Sequence, residues 1–239
     1  MLNKFNFDQY ELVLYNKCLK LGKITASLLK EKCKIRLMER LKKTIEVYDK
    51  NAKEYVDFSY PQLLQFHLTQ FISYLPKDAK ILDAGCGSGK DAEYLVEEGF
   101  KVSAIDISSN ILKEASKIVD ASVEFEQMDI LNLKFEDNAF DGVWCEAVLF
   151  HIPKEYVMGA LEGFYRVMKD KGVIHISVKE GEGEKMVEFP KTGNEPKFFA
   201  FYKENELVDL IKKAGFSLIK SFIDRTQEED WVNIFARKE

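Results

Sequence analysis

The segment Lys80-Ile81-Leu82-Asp83-Ala84-Gly85-Cys86-Gly87-Ser88-Gly89 constrains the fold of this chain more than any other stretch. A short apolar strand runs straight into three alternating glycines, and a helical pattern follows over about 90–98, ending at Gly99. Glycine turns tightly and admits a ligand without Cβ obstruction. Strand, glycine turn and helix form the first half of a crossover unit, and the sequence beyond it repeats the alternation.

A second strand is expected over Lys101 to Asp106, followed by a helix carrying Ile111, Leu112, Ala115 and Ile118. A third follows over Val123 to Met128 and a fourth over Phe140 to Cys145. The fourth leads to a helix that begins at Pro153 and buries Val157, Leu161, Phe164 and Met168. The fifth strand is Val173 to Val178. Residues 180–202 read as a long irregular stretch, and a helix with Leu207, Leu210 and Ile211 stops at Ala214-Gly215. Strands over Phe216–Ile223 and Trp231–Ala236 leave no room for a helix between them and should pair as a hairpin. The alternation predicts an α/β fold: a mostly parallel sheet covered on both faces, with an antiparallel C-terminal addition.

Upstream, Leu37, Met38, Leu41, Ile45 and Tyr48 fall three or four apart, so residues 10–48 read as helices with a break near Gly22. Another helix should start near Pro61 and carry Leu64, Leu68, Phe71, Ile72 and Leu75 up to Pro76. Charge separates this region from the rest. Residues 1–50 hold 12 Lys and Arg against 6 Asp and Glu, while the whole 239-residue chain carries a net charge of −5. The basic excess is either a solvated helix face or a steering surface for an anionic partner such as RNA. The acidic remainder argues against a general nucleic-acid binder. Charges and amides interrupt the opening residues where a signal peptide needs an apolar run. No stretch approaches the ~20 apolar residues of a membrane span, so a cytoplasmic protein is expected. The four cysteines, Cys18, Cys33, Cys86 and Cys145, form no CxxC pair, and no metal site is expected.

In an open α/β sheet the ligand lies beyond the carboxyl ends of the strands. Three acids occupy such ends. Asp83 precedes the first glycine, where a carboxylate repels a pyrophosphate and suits a ligand bearing positive charge. Asp106, at the tip of the second strand, could accept hydrogen bonds from both hydroxyls of a ribose or could serve as a helix cap, a role better suited to Ser108 or Ser109. Asp129 could accept from an exocyclic amine, with Met128 and Ile130 on either side of a flat ring. The glycine spacing, GxGxG with Lys90 next, departs from the GxGxxG of dinucleotide sites.

The segments ILDAGCGSG, AIDIS, QMDI and FDGVWCEAVLFHIP closely resemble those of the class I S-adenosylmethionine-dependent methyltransferases. LEGFYRVMKDKGVIHIS is similar to the family's helix, turn and fifth strand, with Asp170-Lys171-Gly172 where Pro-Gly-Gly is usual. YDKNAKEY, at 48–55, is similar to a tyrosine-bearing motif ahead of the catalytic domain in many small-molecule members. The resemblance covers about 45–239 and leaves 1–44 as a helical extension or cap. It implies a Rossmann-like, doubly wound, seven-stranded sheet and S-adenosylmethionine as methyl donor. It places Asp83, Gly85, Cys86, Gly87 and Gly89 around the methionine moiety, and Asp106 with its neighbour Ile107 at the ribose. Met128, Asp129 and Ile130 then surround adenine. It further implies that Cys145 and Glu146 line the donor and that Tyr48 and Tyr55 close over it.

Two residues are candidates for acid–base work. His151 follows the fourth strand and should face the acceptor, as general base or as a structural residue of its loop. Glu146 could contact donor or acceptor. Cys145 is not expected to act as a nucleophile, and His67 and His175 read as packing residues. Phe189, Phe198, Phe199, Phe201 and Tyr202 could roof an acceptor pocket. Cys-Glu-Ala-Val stands where amino-directed nucleic-acid methyltransferases carry Asp/Asn-Pro-Pro-aromatic. The expected acceptor is therefore a small organic molecule. The alternatives are a tRNA or rRNA acceptor, a nicotinamide-dependent oxidoreductase on a similar sheet, and a non-catalytic cofactor-binding protein.

Overall fold

The computed structural model describes residues 26–188, 194–226 and 229–239, with side chains from Met38 onward. Expectations for residues 1–25, for the Cys33 side chain and for Phe189 and Pro190 lie outside the described residues.

Three helices come first: α1 (Ala26–Lys50), α2 (Ala52–Ser59) and α3 (Gln65–Ile72). The expected boundary at 44/45 falls inside α1, which continues to Lys50 before breaking at Asn51. The alternation follows as β1 (Lys80–Ala84), α4 (Lys90–Glu97), β2 (Lys101–Asp106), α5 (Ser109–Ala115), β3 (Glu124–Gln127) and β4 (Phe140–Glu146). A single 3₁₀ turn over Leu149–His151 leads into α6 (Lys154–Val167) and β5 (Met168–Lys179). After β6 (Glu184–Val187) and β7 (Lys197–Ala200) come α7 (Glu204–Lys213), β8 (Phe216–Arg225) and β9 (Asp230–Lys238).

Seven strands form one sheet in the order β3-β2-β1-β4-β5-β9-β8. All neighbours are parallel up to β5, and β9 and β8 add antiparallel. The chain winds outward from β1 to β3 and returns to place β4 beside β1. Strand order therefore reverses between β1 and β4, and the crevice lies above their carboxyl ends.

Period-two alternation splits the core. Val143 and Cys145 of β4 face α6 and α7, where Val157, Ala160, Leu161, Phe164, Leu207 and Ile211 are fully buried. Trp144 faces the opposite way, against Phe71 and Leu68 of α3 and Leu95 of α4. Each face thus receives its own helical layer, as the apolar spacing of the sequence required.

Residues 180–202 correct the reading of an irregular stretch. They contain the β6–β7 hairpin, with Glu184 opposite Ala200 and Val187 opposite Lys197. The short run Lys197-Phe198-Phe199-Ala200 is buried at every position, so a β-prone apolar segment finds pairing and burial together. Phe198 and Tyr202 are fully buried core residues and do not roof a pocket. The fifth strand also begins earlier than its apolar run. Asp170-Lys171-Gly172 is drawn into β5 through a register shift against β4, with Lys171 at φ +67°.

Candidate active site

The glycine turn is built against its neighbours. The N–H groups of Gly85 and Cys86 both donate to the carbonyl of Ile105 at 2.8 Å, tying the turn to β2. Gly85 has φ +81°, and a Cβ there would meet Val148 Cγ2 at 2.3 Å. Gly87 has φ +53°, and a Cβ would meet the Tyr55 hydroxyl at 2.6 Å. Both positions demand glycine by conformation and by closeness of approach. Gly89 opens α4 in left-handed geometry.

Asp106 secures the turn from the tip of β2. Gly87 N–H donates to its Oδ2 at 3.1 Å and Ser108 N–H to its Oδ1 at 2.9 Å. Burial raises the carboxyl above its usual range, and these backbone donors partly offset the rise. The cap of α5 is Ser108, whose hydroxyl accepts from Ile111 N–H at 3.1 Å. That leaves Asp106 free of the capping role.

Two adjoining cavities open over this region. The smaller, about 110 Å³, is bordered by Gly85, Asp106 and Ile107 on one side and by Met128, Asp129 and Ile130 on the other. Leu41, Thr44, Ile45 and Tyr48 of α1 cover it, together with Tyr55 of α2. Met128 and Ile130 are both 6% exposed, and Asp129 Oδ1 accepts from Leu131 N–H at 2.9 Å. The residues expected around the nucleoside thus all border this one cavity. Leu41, Thr44 and Ile45 of α1 were missed, because helical spacing reports which face is apolar and not what it faces.

The larger cavity, about 380 Å³, shares Tyr48, Tyr55, Gly85 and Ala147 with the first. Asp83, Cys86 and Glu146 border it. So do Ser177 and Lys179 of β5, Trp231 and Asn233 of β9, Asp224 of β8 and His67 of α3, none of which was foreseen as a site residue. Alternation along β5 turns Ser177 and Lys179 to the same face as Glu146, the register partner of Ser177.

Asp83 is 2% exposed, and its Oδ2 has no hydrogen-bond partner among the described residues. Burial and the nearby Asp91 hold its carboxyl well above the usual range. Lys90 Nζ contacts Asp91 at 2.7 Å, and Trp144 Nε1 donates to the other Asp91 oxygen at 3.0 Å. Burial, then Asp91, pushes Glu146 up to about 8, and its Oε2 likewise lacks a hydrogen-bond partner among the described residues. An orphaned buried carboxylate beside a glycine turn fits a cationic group, the charge that a sulfonium and an amino group carry. The residues present therefore suit S-adenosylmethionine.

Not every expected residue reaches the crevice. The Cys145 side chain is fully buried in the α6–α7 core and borders neither cavity, because alternation turns it away from Glu146. Its thiol and that of Cys86 are pushed up by burial, which leaves neither as a thiolate nucleophile. His175 is fully buried, stacked on Trp144 at 4.0 Å, and held down to about 3 by burial. His67 borders the larger cavity, its Nε2 2.7 Å from Asp224 Oδ2.

His151 borders the smaller cavity, and both of its nitrogens are engaged. Nδ1 lies 3.0 Å from the carbonyl oxygen of Phe198, and Nε2 lies 2.9 Å from the Tyr48 hydroxyl. A carbonyl only accepts, so Nδ1 carries the proton and Nε2 accepts from Tyr48. Burial lowers His151 to about 4. Of the two readings of His151, base or structural residue of its loop, these contacts suit the structural one, and the Tyr48 hydroxyl on its Nε2 belongs to a residue bordering both cavities. The pair joins α1 to β7, reinforced by Phe198 N–H donating to Thr44 Oγ1 at 2.8 Å.

Comparison with known proteins agrees with this architecture. Residues 81–172 match the family model described as a methyltransferase domain. The "Putative methyltransferase YqeM" of Bacillus subtilis is 33% identical over 116 residues, 45% of this chain and 47% of that protein. "Phosphoethanolamine N-methyltransferase 2" of Caenorhabditis elegans is 32% identical over 142 residues, 57% of this chain and 32% of that protein. The matched segments thus span about half or less of these relatives. Among solved structures, a Methanosarcina mazei SAM-dependent methyltransferase superposes with TM-score 0.62 at 24% identity, covering 74% of this chain and 97% of that one. The Burkholderia thailandensis 1,6-didemethyltoxoflavin-N1-methyltransferase, solved with its acceptor and S-adenosylhomocysteine, gives 0.60 at 21% identity, covering 80% and 88%. The match over residues 81–172, the sheet order and the glycine turn agree with a class I S-adenosylmethionine-dependent methyltransferase fold.

Proposed function

We propose that the chain transfers the methyl group of S-adenosylmethionine to a small organic acceptor. The observation that carries this reading is a pair of acids, buried Asp83 and half-buried Asp106, bracketing a glycine turn at the point where strand order reverses. Asp106 and Ile107 would hold the ribose, and Met128, Asp129 and Ile130 the adenine. Asp83, Gly85, Cys86 and Gly87 would hold the methionine portion. The sulfonium supplies an already activated methyl group, so no covalent enzyme intermediate is required.

The work left to the protein is alignment and exclusion of water. Tyr48 and Tyr55 pack edge to face at 5.2 Å over the boundary of the two cavities. The Tyr48–His151–Phe198 chain fixes that cover, and Asp49 adds a tie to Ser108 and Asn110 on the rim of β2. A proton on the Tyr48 hydroxyl has the Nε2 lone pair of His151 as its acceptor, so His151 acts through Tyr48.

The five acids bordering the larger cavity oppose a polyanionic acceptor, which favours a small molecule over RNA. The basic excess of residues 1–50 is what favours the RNA reading. Calorimetric titration with S-adenosylhomocysteine against NAD tests the donor assignment, and preference for NAD would end it. A methyl-transfer screen with labelled donor over metabolite pools and RNA, read by mass spectrometry, tests the acceptor. Label appearing only in RNA would overturn the small-molecule reading.

A further inference from the structure

The charged residues around the larger cavity are Asp83, Asp91, Glu146, Asp224, Glu229, Lys90 and Lys179. Lys90 is paired with Asp91 and Lys179 with Glu229. Three further acids border the cavity, Asp83, Glu146 and Asp224, and Lys90 offsets part of the charge at Asp83 and Glu146. Asp83 is taken by the donor in the reading above. Glu146 and Asp224 are left over, on the floor laid by β4, β5, β9 and β8.

The floor there is polar where a sheet face under a helix is normally apolar. Ser177 hydrogen-bonds to Glu146, and His175 Nδ1 lies 3.7 Å from Glu146 Oε2. Asn233 Nδ2 donates to Asp224 Oδ2 at 3.2 Å, and His67, itself 8% exposed, leans on Asp224 from α3. His67 Nδ1 makes no hydrogen bond among the described residues. A buried carboxylate oxygen and a buried imidazole, both short of partners and both bordering the same space, mark a place for a polar ligand.

Adjacent to this floor the protein already holds an ammonium in aromatic surroundings. Lys179 Nζ sits 4.7 Å from the Trp231 ring, 5.1 Å from Phe199 and 5.5 Å from Phe150, with the Glu229 carboxylate beside it. Rings and carboxylate together form the environment that stabilises an organic cation.

Building on the donor assignment above, we infer that the acceptor is a small amine that enters protonated, its ammonium held by Glu146 with Asp224 beyond, and that its nitrogen is methylated. Glu146 takes one proton from the ammonium. The freed nitrogen lone pair forms the N–C bond as the carbon–sulfur bond breaks, its electron pair staying on sulfur. Glu146 keeps that proton until the next ammonium displaces it to solvent, so each turnover releases one proton, S-adenosylhomocysteine and the methylated ammonium. The groups facing Glu146 are Asp83 from β1, Lys90 and Asp91 from α4, His175 and Ser177 from β5, Asp224 from β8 and His67 from α3. Burial, then Asp91, raises the affinity of this carboxyl for a proton, which suits it to take one from a bound ammonium.

The test uses the full chain saturated with S-adenosylhomocysteine, so that failure of the donor step is seen first and separately. Ethanolamine and 2-phenylethylamine are titrated calorimetrically, each beside the alcohol and the carboxylate of the same carbon frame. The amines should bind about tenfold or more tightly than their controls, the scale of one charge-assisted hydrogen bond. Binding should also release a proton, seen as heat that varies with the buffer's ionisation enthalpy. Glu146→Gln should abolish the amine preference and the proton release while S-adenosylhomocysteine still binds. Should that variant fail to fold, Asp224→Asn should reduce the preference in the same direction. With the donor product bound, a preference for the carboxylates would make Lys179 the anchor and overturn the inference, as would amines that bind no better than their alcohols.

Discussion

Asp106→Asn separates two roles that the wild-type carboxylate combines. In the native site its two oxygens accept from Gly87 and Ser108, at 3.1 and 2.9 Å, while the same carboxylate borders the smaller cavity. Asparagine keeps one acceptor oxygen and presents an NH₂ in place of the other. One backbone N–H then loses its partner, at a cost of about 1–3 kcal/mol. The substitution also removes a buried charge whose pKa the fold has raised, which returns part of that cost. The net loss of stability should therefore lie near the low end, a fall in Tm of about 2–4 °C per kcal/mol for a domain of this size. Donor binding has no such compensation. Two ribose hydroxyls lose a charged acceptor, and each such bond is worth about 1.5–3 kcal/mol. Affinity for S-adenosylhomocysteine should fall by at least tenfold, measured by calorimetry beside a thermal melt of the unliganded protein. A lower Tm with unchanged affinity would show that Asp106 only staples the glycine turn, and the ribose assignment would be wrong.

Gly87→Ala should weaken S-adenosylhomocysteine binding and cost at least about 1–2 kcal/mol, since a Cβ at φ +53° is strained and pushes on the Tyr55 hydroxyl. His151 has a folded pKa near 4 against about 6.5 unfolded, so its contribution is full above about 6.5 and is lost as pH falls toward 4. His151→Gln should flatten the fall in urea midpoint over that window, and an unchanged profile would deny the burial that lowers it. Glu146 has the opposite sign: its folded pKa near 8 exceeds the ordinary value, so the unliganded protein loses stability as pH rises from about 4.5 to 8. Glu146→Gln should remove that decline in a melting series across the same range. Tyr48→Phe should slow methyl transfer and raise the amide exchange of α1 near Thr44, and normal exchange would mean that the Tyr48–His151 contact does not hold the cover.

The glycine-turn side of the crevice was legible because its signals are local. A strand tip, a glycine turn and an acid at the end of the next strand follow one another within 30 residues, and each has a backbone reason to be there. The acceptor side was not. Asp224, Trp231 and Asn233 sit on a C-terminal hairpin that sequence placed only at the edge of the sheet, and His67 arrives from a helix more than 150 residues earlier. Their meeting depends on the pairing of β9 with β5, which puts Asn233 opposite Ser177 and Trp231 opposite Lys179. No periodicity encodes that register. The aromatic run at 198–202 misled for a related reason. Four bulky residues in a long connection suit a lid and a buried hairpin equally, and only the tertiary context buries Phe198 and Tyr202 while leaving Phe199 on the cavity wall.

The acids of the crevice carry a cost in the folded state. Asp83, Asp106 and Glu146 are all held above their ordinary carboxyl range, so folding without ligand places like charges in a poorly solvated site. A sequence selected for stability alone would have replaced some of them with apolar residues, and strands β1, β2 and β4 are otherwise almost wholly apolar at buried positions. The cost recurs at successive strand tips around one turn, which is where a cation would relieve all three together. A ligand that binds only the folded state returns that free energy as added stability. The α1 and β7 contacts through Tyr48, Thr44 and Phe198 hold the cover over the smaller cavity independently of those charges.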